Sequence, residues 1–286
     1  MPELPEVEVV RRGVDRHSVG RVISQVQVLH QRAVRRHVGS SAEVSDRLVG
    51  ATVTATDRRG KYFWLVLDTG DLLVIHLGMS GQVLAAPVGL EDEIHLRVRI
   101  GFADGGNELR FVDQRTFGGV FVDTTAPGSS IGSGRPVPSQ VAHIAADPFD
   151  TEYDRRAVVR AIKAKSSPVK AVILDQSVVS GIGNIYADEA LWRTKLNWRR
   201  PADTVSVARL GQLLDNATAV MAEALAVGGT SFDSLYVNVN GSSGYFSRSL
   251  NAYGCENEPC PRCGTPIVRE RFANRSSYRC PKCQRW

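Results

Sequence analysis

Tyr62-Phe-Trp-Leu-Val-Leu67 and Leu72-Leu-Val-Ile-His76, separated by Asp68-Thr-Gly-Asp71, set the reading of the fold. β-Branched, aromatic and long aliphatic side chains suit the pleated surface of a sheet, and Asp and Gly between two such runs suit a turn. The pattern continues in both directions. Val22–Leu29, Leu96–Phe102, Glu108–Val112 and Gly119–Val122 are short runs of the same kind, and Ala103-Asp-Gly-Gly-Asn107 punctuates two of them. Many short strands with turn signals between them predict an antiparallel sandwich or barrel. Ahead of them, Pro5 suits a first helical turn and Val7, Val10 and Val14 recur at helical spacing, so a short amphipathic helix opens the chain.

The texture then changes twice. Ala126-Pro-Gly-Ser-Ser-Ile-Gly-Ser-Gly-Arg-Pro136 reads as a flexible surface segment, and a domain boundary is expected near Asp147–Asp150. Arg155–Lys165, Val169–Gln176, Ile185–Lys195 and Val207–Val227 carry apolar residues at helical spacing, with Gly181 and Gly183 interrupting just before Asn184. From about Tyr245 the chain is short, basic and rich in cysteine. The expectation is a multidomain α+β protein divided at 1–147, 148–244 and 245–286.

A length of 286 residues accommodates these parts, and 43% hydrophobic with 23% charged residues argues against disorder. No apolar run approaches the roughly 18 residues needed to span a bilayer, and the acidic start lacks a signal core. A cytoplasmic protein is expected. The formal charge of +5 and pI near 9.1 fit a polyanionic partner, and fit an ordinary basic protein about as well.

All five cysteines fall in the last 32 residues. Cys260-x-x-Cys263 and Cys280-x-x-Cys283 are separated by sixteen residues, the length of a β-hairpin. Each pair can place two thiolates on one metal through a tight knuckle, and two knuckles complete a tetrahedral zinc shell without room for a catalytic water. The rival reading is two disulfides, which chains without an export signal rarely use. Cys255 is left over as a bystander. Between the pairs, Arg269, Arg271, Arg275 and Arg279 suit phosphate contact or a solvated face.

Pro2 follows the initiator methionine, and a small second residue favours its removal. That exposes a secondary amine. With an α-amino pKa near 8, about a tenth is neutral at pH 7, against well below a thousandth for a lysine near 10.4. Such an amine can attack an electrophilic carbon and form an iminium ion. Glu3 and Glu6 lie beside it as an acid and an electrostatic partner. The plainer reading is that Pro and Glu are good helix-start residues.

Met1-Pro-Glu-Leu-Pro-Glu-Val-Glu8, His76-Leu-Gly-Met-Ser-Gly81, Ser180-Gly-Ile-Gly-Asn-Ile-Tyr186 and the terminal four-cysteine ribbon occur together and in order. In this the chain resembles the bacterial formamidopyrimidine-DNA glycosylases over nearly its whole length. The resemblance implies an N-terminal helix with an eight-stranded antiparallel sandwich, a helix–two-turns–helix domain and a zinc ribbon. It implies a monomeric, nucleoid-associated enzyme of base excision repair, both glycosylase and abasic-site lyase. Its substrates would be 8-oxoguanine and formamidopyrimidines in duplex DNA.

On the matching positions it implies Pro2 as nucleophile, Glu3 as proton donor for sugar-ring opening and Glu6 as pocket support. Lys61, in Arg58-Arg-Gly-Lys-Tyr62, becomes a phosphate contact and proton donor for β-elimination. Arg275 grips a phosphate and assists δ-elimination, and Asn184 binds phosphate. A glycosylase must evert its target and fill the gap. That task falls to Met79, with an adaptable thioether, and to Arg115 and Phe117 in Asp113-Gln-Arg-Thr-Phe-Gly118. Phe117 wedges into the stack and Arg115 bonds the widowed cytosine. Core packing is the ordinary reading of Met79 and Phe117. His76, His95 and Lys165 align with backbone contacts, although the stretch before His95 departs from the family's more basic versions. Val237–Tyr245 resembles a lid loop. Zinc takes no part in bond changes.

Three other functions remain open at this level. One is an endonuclease VIII-type glycosylase for oxidised pyrimidines, against which Glu3-Leu-Pro5 and the Arg115/Phe117 spacing argue. Another is a non-catalytic zinc-ribbon DNA-binding paralogue, which would be expected to have lost Pro2, Glu3 or Lys61. The third is an RNA-binding ribbon protein, for which no RNA-reading module is recognisable.

Overall fold

The computed structural model describes residues 2–129, 131, 133–229 and 249–286. They form two compact units. The first draws on Met1–Pro127, Pro136–Ala142 and Val227–Tyr245, the second on Gly128–Arg135, His143–Ala226 and Phe246–Trp286.

The first unit begins with α1 (Leu4–Ser18), followed by β1 (Ile23–Val28), α2 (Ser41–Leu48), β2 (Val53–Arg59), β3 (Tyr62–Leu67), β4 (Leu72–His76), β5 (Gly81–Ala86), β6 (Leu96–Phe102), β7 (Glu108–Asp113) and β8 (Gly119–Asp123). Two antiparallel four-stranded sheets result, in the orders β1-β6-β7-β5 and β2-β3-β4-β8. A minor ladder pairs β9 (Thr125–Ala126) with β10 (Val137–Pro138). The core is the apolar set that the strand runs predict. Phe63, Leu65, Leu73, Ile75, Val98, Leu109, Phe111, Val120 and Val122 are buried together with Val7, Val10 and Val14 of α1.

Three elements lie outside the apolar runs of the sequence. β2 and β5 are edge strands, so each pairs on one side only; β2 mixes Thr, Asp and Arg with little that is apolar, and β5 is the short run Gly-Gln-Val-Leu-Ala-Ala. α2 starts from a capping box: Ser40 Oγ accepts the Glu43 N–H and the Glu43 carboxylate accepts the Ser40 N–H, both at 3.3 Å. The segment before residue 136 is also tethered where it is described. Arg135 Nε donates to Asp150 at 2.8 Å and Ser133 Oγ to Glu152 at 3.1 Å.

The second unit contains α3 (Arg155–Lys163), α4 (Val169–Leu174), α5 (Asn184–Thr194), α6 (Val207–Ala226) and the hairpin of β11 (Val268–Phe272) and β12 (Arg275–Arg279). α5 is buried almost all round, including Asp188 and Glu189. These acids survive burial because Asp188 is answered at both oxygens and Glu189 at Oε1. Lys170 Nζ donates to Asp188 Oδ1 at 2.6 Å, with Ser277 Oγ and the Tyr278 N–H completing that carboxylate's shell. Glu189 Oε1 takes three successive backbone N–H groups, from Asn251, Ala252 and Tyr253, at 2.8–3.0 Å. Among the described residues, no helix is long and apolar enough to cross a membrane.

Candidate active site and metal centre

The head of α1 gathers the predicted reactive residues. Glu3 is the N-cap, its N–H donates to Glu6 Oε2 at 2.9 Å, and Pro2 stands just ahead of the helix. All three are buried, Glu3 at 3% and Glu6 at 2% exposure. Gly229, at φ +90°, lies so close that a Cβ there would sit 3.3 Å from the Glu6 side chain.

Lys61 follows Gly60, at φ +57°, in the two-residue turn between β2 and β3. Arg58 ties this turn to α1: Nη1 donates to the Gly60 carbonyl and Nε to Glu8 Oε2, each at 3.1 Å. Burial raises the Glu8 carboxyl, but hydrogen bonds from Arg11 and Arg12 and the charges of Arg58 and Arg11 outweigh it and hold the group at about 2. Glu8 is thus a permanent anion in the strap. His76 pairs across the sheet with Tyr62, and the two rings stack with centroids 4.4 Å apart. Burial, then the charges of Arg36, Lys61 and Arg35, push its imidazole down to about 3. It is neutral, and since Nδ1 accepts the Gly78 N–H at 3.2 Å, its own proton sits on Nε2 as a donor. Of these cations, Lys61 and Arg36 make a patch suited to phosphate, whereas the Arg35 guanidinium is taken up by the carbonyls of Thr116, Phe117 and Gly118.

Met79 and Phe117 are not core residues; each is 39% exposed, on neighbouring loops. The Arg115 guanidinium sits over the Phe117 ring, 4.9 Å from its centroid. His95 belongs to the same corner through its backbone, its carbonyl accepting the Asp113 N–H at 2.9 Å.

In the second unit, Asn184 opens α5 and its Nδ2 donates to the Ser276 carbonyl at 2.9 Å, which brings it to the strand that carries Arg275. Asn184 Oδ1 is buried without a hydrogen-bond partner. Arg275 is exposed at the hairpin turn, opposite Phe272. The ribbon arginines do not act as one row. Register puts Arg269 and Arg271 on one face and Arg275 and Arg279 on the other, and Arg279 is bound to Glu270 at 2.8 Å. Lys165 is exposed just after α3. Val237–Tyr245 lies outside the described residues.

The Sγ atoms of Cys260, Cys263, Cys280 and Cys283 all lie within 4.8 Å of one another, and Cys263 is 3.5 Å from both Cys280 and Cys283. Four sulfurs around one zinc at about 2.3 Å would be about 3.8 Å apart, so the set fits one tetrahedral ion. All five cysteines are free thiols, against the disulfide alternative. Two N–H groups already face the sulfurs: the Trp192 indole on Cys260 at 3.5 Å and the Cys283 amide on Cys280 at 3.4 Å. Cys255 stands outside the set.

Three family models match in register with these parts. They are the formamidopyrimidine-DNA glycosylase N-terminal domain over residues 1–120, the formamidopyrimidine-DNA glycosylase H2TH domain over 144–235, and a zinc finger found in FPG and IleRS over 257–285. The chain belongs to the formamidopyrimidine-DNA glycosylase family. Relatives of that name are 57% identical in Rhodococcus opacus, covering 100% of this chain and 97% of that protein, and 58% identical in Mycolicibacterium gilvum, covering 99% and 98%. Among solved structures, a Lactococcus lactis FPG mutant with Fapy-dG-containing DNA superposes with a TM-score of 0.86 at 27% identity, covering 100% of both chains. A Lactococcus lactis Fpg with abasic-site DNA gives 0.84 at 27% identity, again over 100% of both chains. As a member of this family, the chain holds one structural zinc ion in its four-cysteine ribbon.

Sequence reading passed over several residues that organise this family's site here. Ser80 and Asp113 stand inside the quoted motifs without a role, and Arg35, Glu8 and Arg58 were ordinary charges. The partners of Ser80, Asp113, Arg35 and Arg58 are backbone groups or residues far along the chain, which leave no spacing signature, whereas Glu8 with Arg11 and Arg12 shows ordinary helical spacing.

Proposed function

We propose that Pro2 is the nucleophile, and Glu3 the proton donor, of a bifunctional DNA glycosylase and abasic-site lyase of base excision repair. The enzyme acts as a monomer on duplex DNA carrying oxidised purines. The observation that carries the reading is the arrangement at the head of α1: Pro2 ahead of the helix, with the Glu3 amide fixed by the Glu6 carboxylate at 2.9 Å. Once Met1 is removed, the neutral Pro2 nitrogen attacks C1′ of an everted nucleotide, and the bond from C1′ to the base breaks, the base leaving with that electron pair and taking up the proton that the nitrogen sheds. Glu3 delivers a proton to the ring oxygen, the sugar opens, and C1′ and the nitrogen share an iminium.

The iminium acidifies the C2′ proton. Its loss expels the 3′ phosphate by β-elimination, with Lys61 as the proton donor. Loss of a C4′ proton then expels the 5′ phosphate by δ-elimination, assisted by Arg275. Glu6 supports the pocket. His76, His95, Lys165 and Asn184 hold phosphates, and Met79, Arg115 and Phe117 occupy the vacated space, with Arg115 bonding the widowed cytosine. The zinc ion stabilises the ribbon and takes no part in bond changes. We place the enzyme in the bacterial cytoplasm, at the nucleoid.

The test is borohydride trapping on a duplex with 8-oxoguanine opposite cytosine. Mature protein is expected to yield a covalent adduct. Protein that retains Met1, whose Pro2 nitrogen is an amide, is expected to yield none while still shifting the duplex in a gel. Absence of an adduct with mature protein would overturn the proline mechanism.

A further inference from the structure

We infer that Asp113 and Arg35 are positioning residues that set discrimination of the base opposite the lesion, by gripping the Arg115–Gly118 loop from two sides. The inference rests on the assignment of Arg115 to the widowed cytosine. Asp113 is fully buried at the end of β7 and cannot reach DNA. Its carboxylate serves the loop from below. Oδ2 accepts the Gly118 N–H at 2.8 Å, and Oδ1 accepts the Ser80 hydroxyl at 2.6 Å and the Arg115 N–H at 3.2 Å. Ser80 Oγ also accepts the Arg115 N–H, at 3.1 Å.

Arg35 takes the outward carbonyls of the same loop. Nη1 donates to Thr116 at 3.1 Å and Gly118 at 2.9 Å, and Nη2 to Phe117 at 3.0 Å. Between the two grips, Thr116 is held at φ +53°, a region that β-branched residues avoid. The loop keeps this shape because amides and carbonyls are both answered. Ser80 extends the grip to the Met79 loop, and Gly78 seals it: a Cβ there would lie 2.3 Å from the Gly118 nitrogen. Met79, Arg115 and Phe117 therefore move as one piece.

The specificity follows from the cytosine edge. Cytosine offers adjacent acceptors, O2 and N3, to a guanidinium, whereas adenine offers one acceptor beside a donor amine. A guanidinium held in place distinguishes the two; one on a slack loop settles for either.

The experiment compares excision of 8-oxoguanine opposite cytosine and opposite adenine, with strand cleavage of single-stranded abasic DNA as a readout that has no opposite base. Asp113→Asn and Arg35→Ala are expected to lower the cytosine-over-adenine ratio about fivefold, the effect of one lost hydrogen bond, while single-strand cleavage keeps its rate. Arg35→Lys, with one donor centre in place of a fork, recovers only part of the ratio. Arg115→Ala runs in parallel. A ratio unchanged in Arg35→Ala but lowered in Arg115→Ala overturns the grip. A ratio unchanged in Arg115→Ala as well overturns the reading of Arg115 itself. Should Asp113→Asn misfold, Arg35→Ala decides alone, since that side chain is exposed and its loss leaves the core intact.

Discussion

On the proposed reading the sandwich unit and the cysteine ribbon each present an arginine to DNA, and they hold it by different means. Arg115 stands on a loop whose backbone is bound on both sides by side chains, the buried Asp113 and the exposed Arg35, beside a large two-sheet core. Arg275 stands on a hairpin whose own apolar support is slight: Trp192, Ala252, Ile267 and the thiols of Cys260 and Cys280. A core of that size cannot offset the entropy of ordering the chain, so a bound ion must supply the difference. The lesson is that one enzyme can be robust at its chemical end and conditional at its gripping end.

Metal removal should separate the two most sharply. Structural zinc sites contribute about 10–16 kcal/mol near neutral pH. Chelation, or Cys263→Ser, is expected to unfold the ribbon and abolish tight DNA binding, while the sandwich keeps its own melting transition. Calorimetry with a parallel gel shift checks this, and a ribbon transition unaffected by chelation would break the comparison.

Next in size is the buried Lys170–Asp188 pair, which joins α4 and α5 to β12. Asp188→Ala removes the carboxylate that answers a fully buried cation, so a loss of about 3–5 kcal/mol is expected. The double change Lys170→Met with Asp188→Leu should recover much of it. Urea melts of the three variants give the answer, and equal losses in single and double variants would argue against stranded charge as the cause.

The smallest effect belongs to the sandwich. His76 has a folded pKa of about 3, below its unfolded value near 6.5. The unfolded chain therefore binds the extra proton first, and the neutral ring's contribution, fully present above pH 6.5, is lost as pH falls toward 3. Between pH 7 and pH 5, His76→Gln should be spared about 1–2 kcal/mol of the destabilisation that the parent shows. Stability curves at the two pH values measure it, and parallel curves would sink the claim.

Legibility differs between fold and site for related reasons. β3 and β4 coincide with their apolar runs because they are central strands buried nearly throughout, and β6 shows the alternation of a strand with one face on the core. β2 is concealed by an edge position that tolerates polar residues, and β5 by its glycine and alanines, which have little preference for strand. α2 was readable from Ser40-Ser-Ala-Glu43 alone, a signal that the search for apolar periodicity passes over. The ribbon was plain from spacing, since metal geometry dictates it. Lys61 became visible only through resemblance, because a lysine after a turn looks unremarkable, and for Pro2 the resemblance decided between a reactive amine and an ordinary helix start. Asp113 and Arg35 stayed hidden because what they bind is main chain, and main chain is the same everywhere in a sequence.

Trp192 gives the ribbon an optical signature. Its indole N–H points at the Cys260 sulfur at 3.5 Å and its ring lies beneath the Arg262 guanidinium, 3.7 Å from the centroid. When the ion leaves, the sulfur changes charge at the fluorophore's own hydrogen bond. Emission from this one indole should then track occupancy of the cluster in real time, without any label.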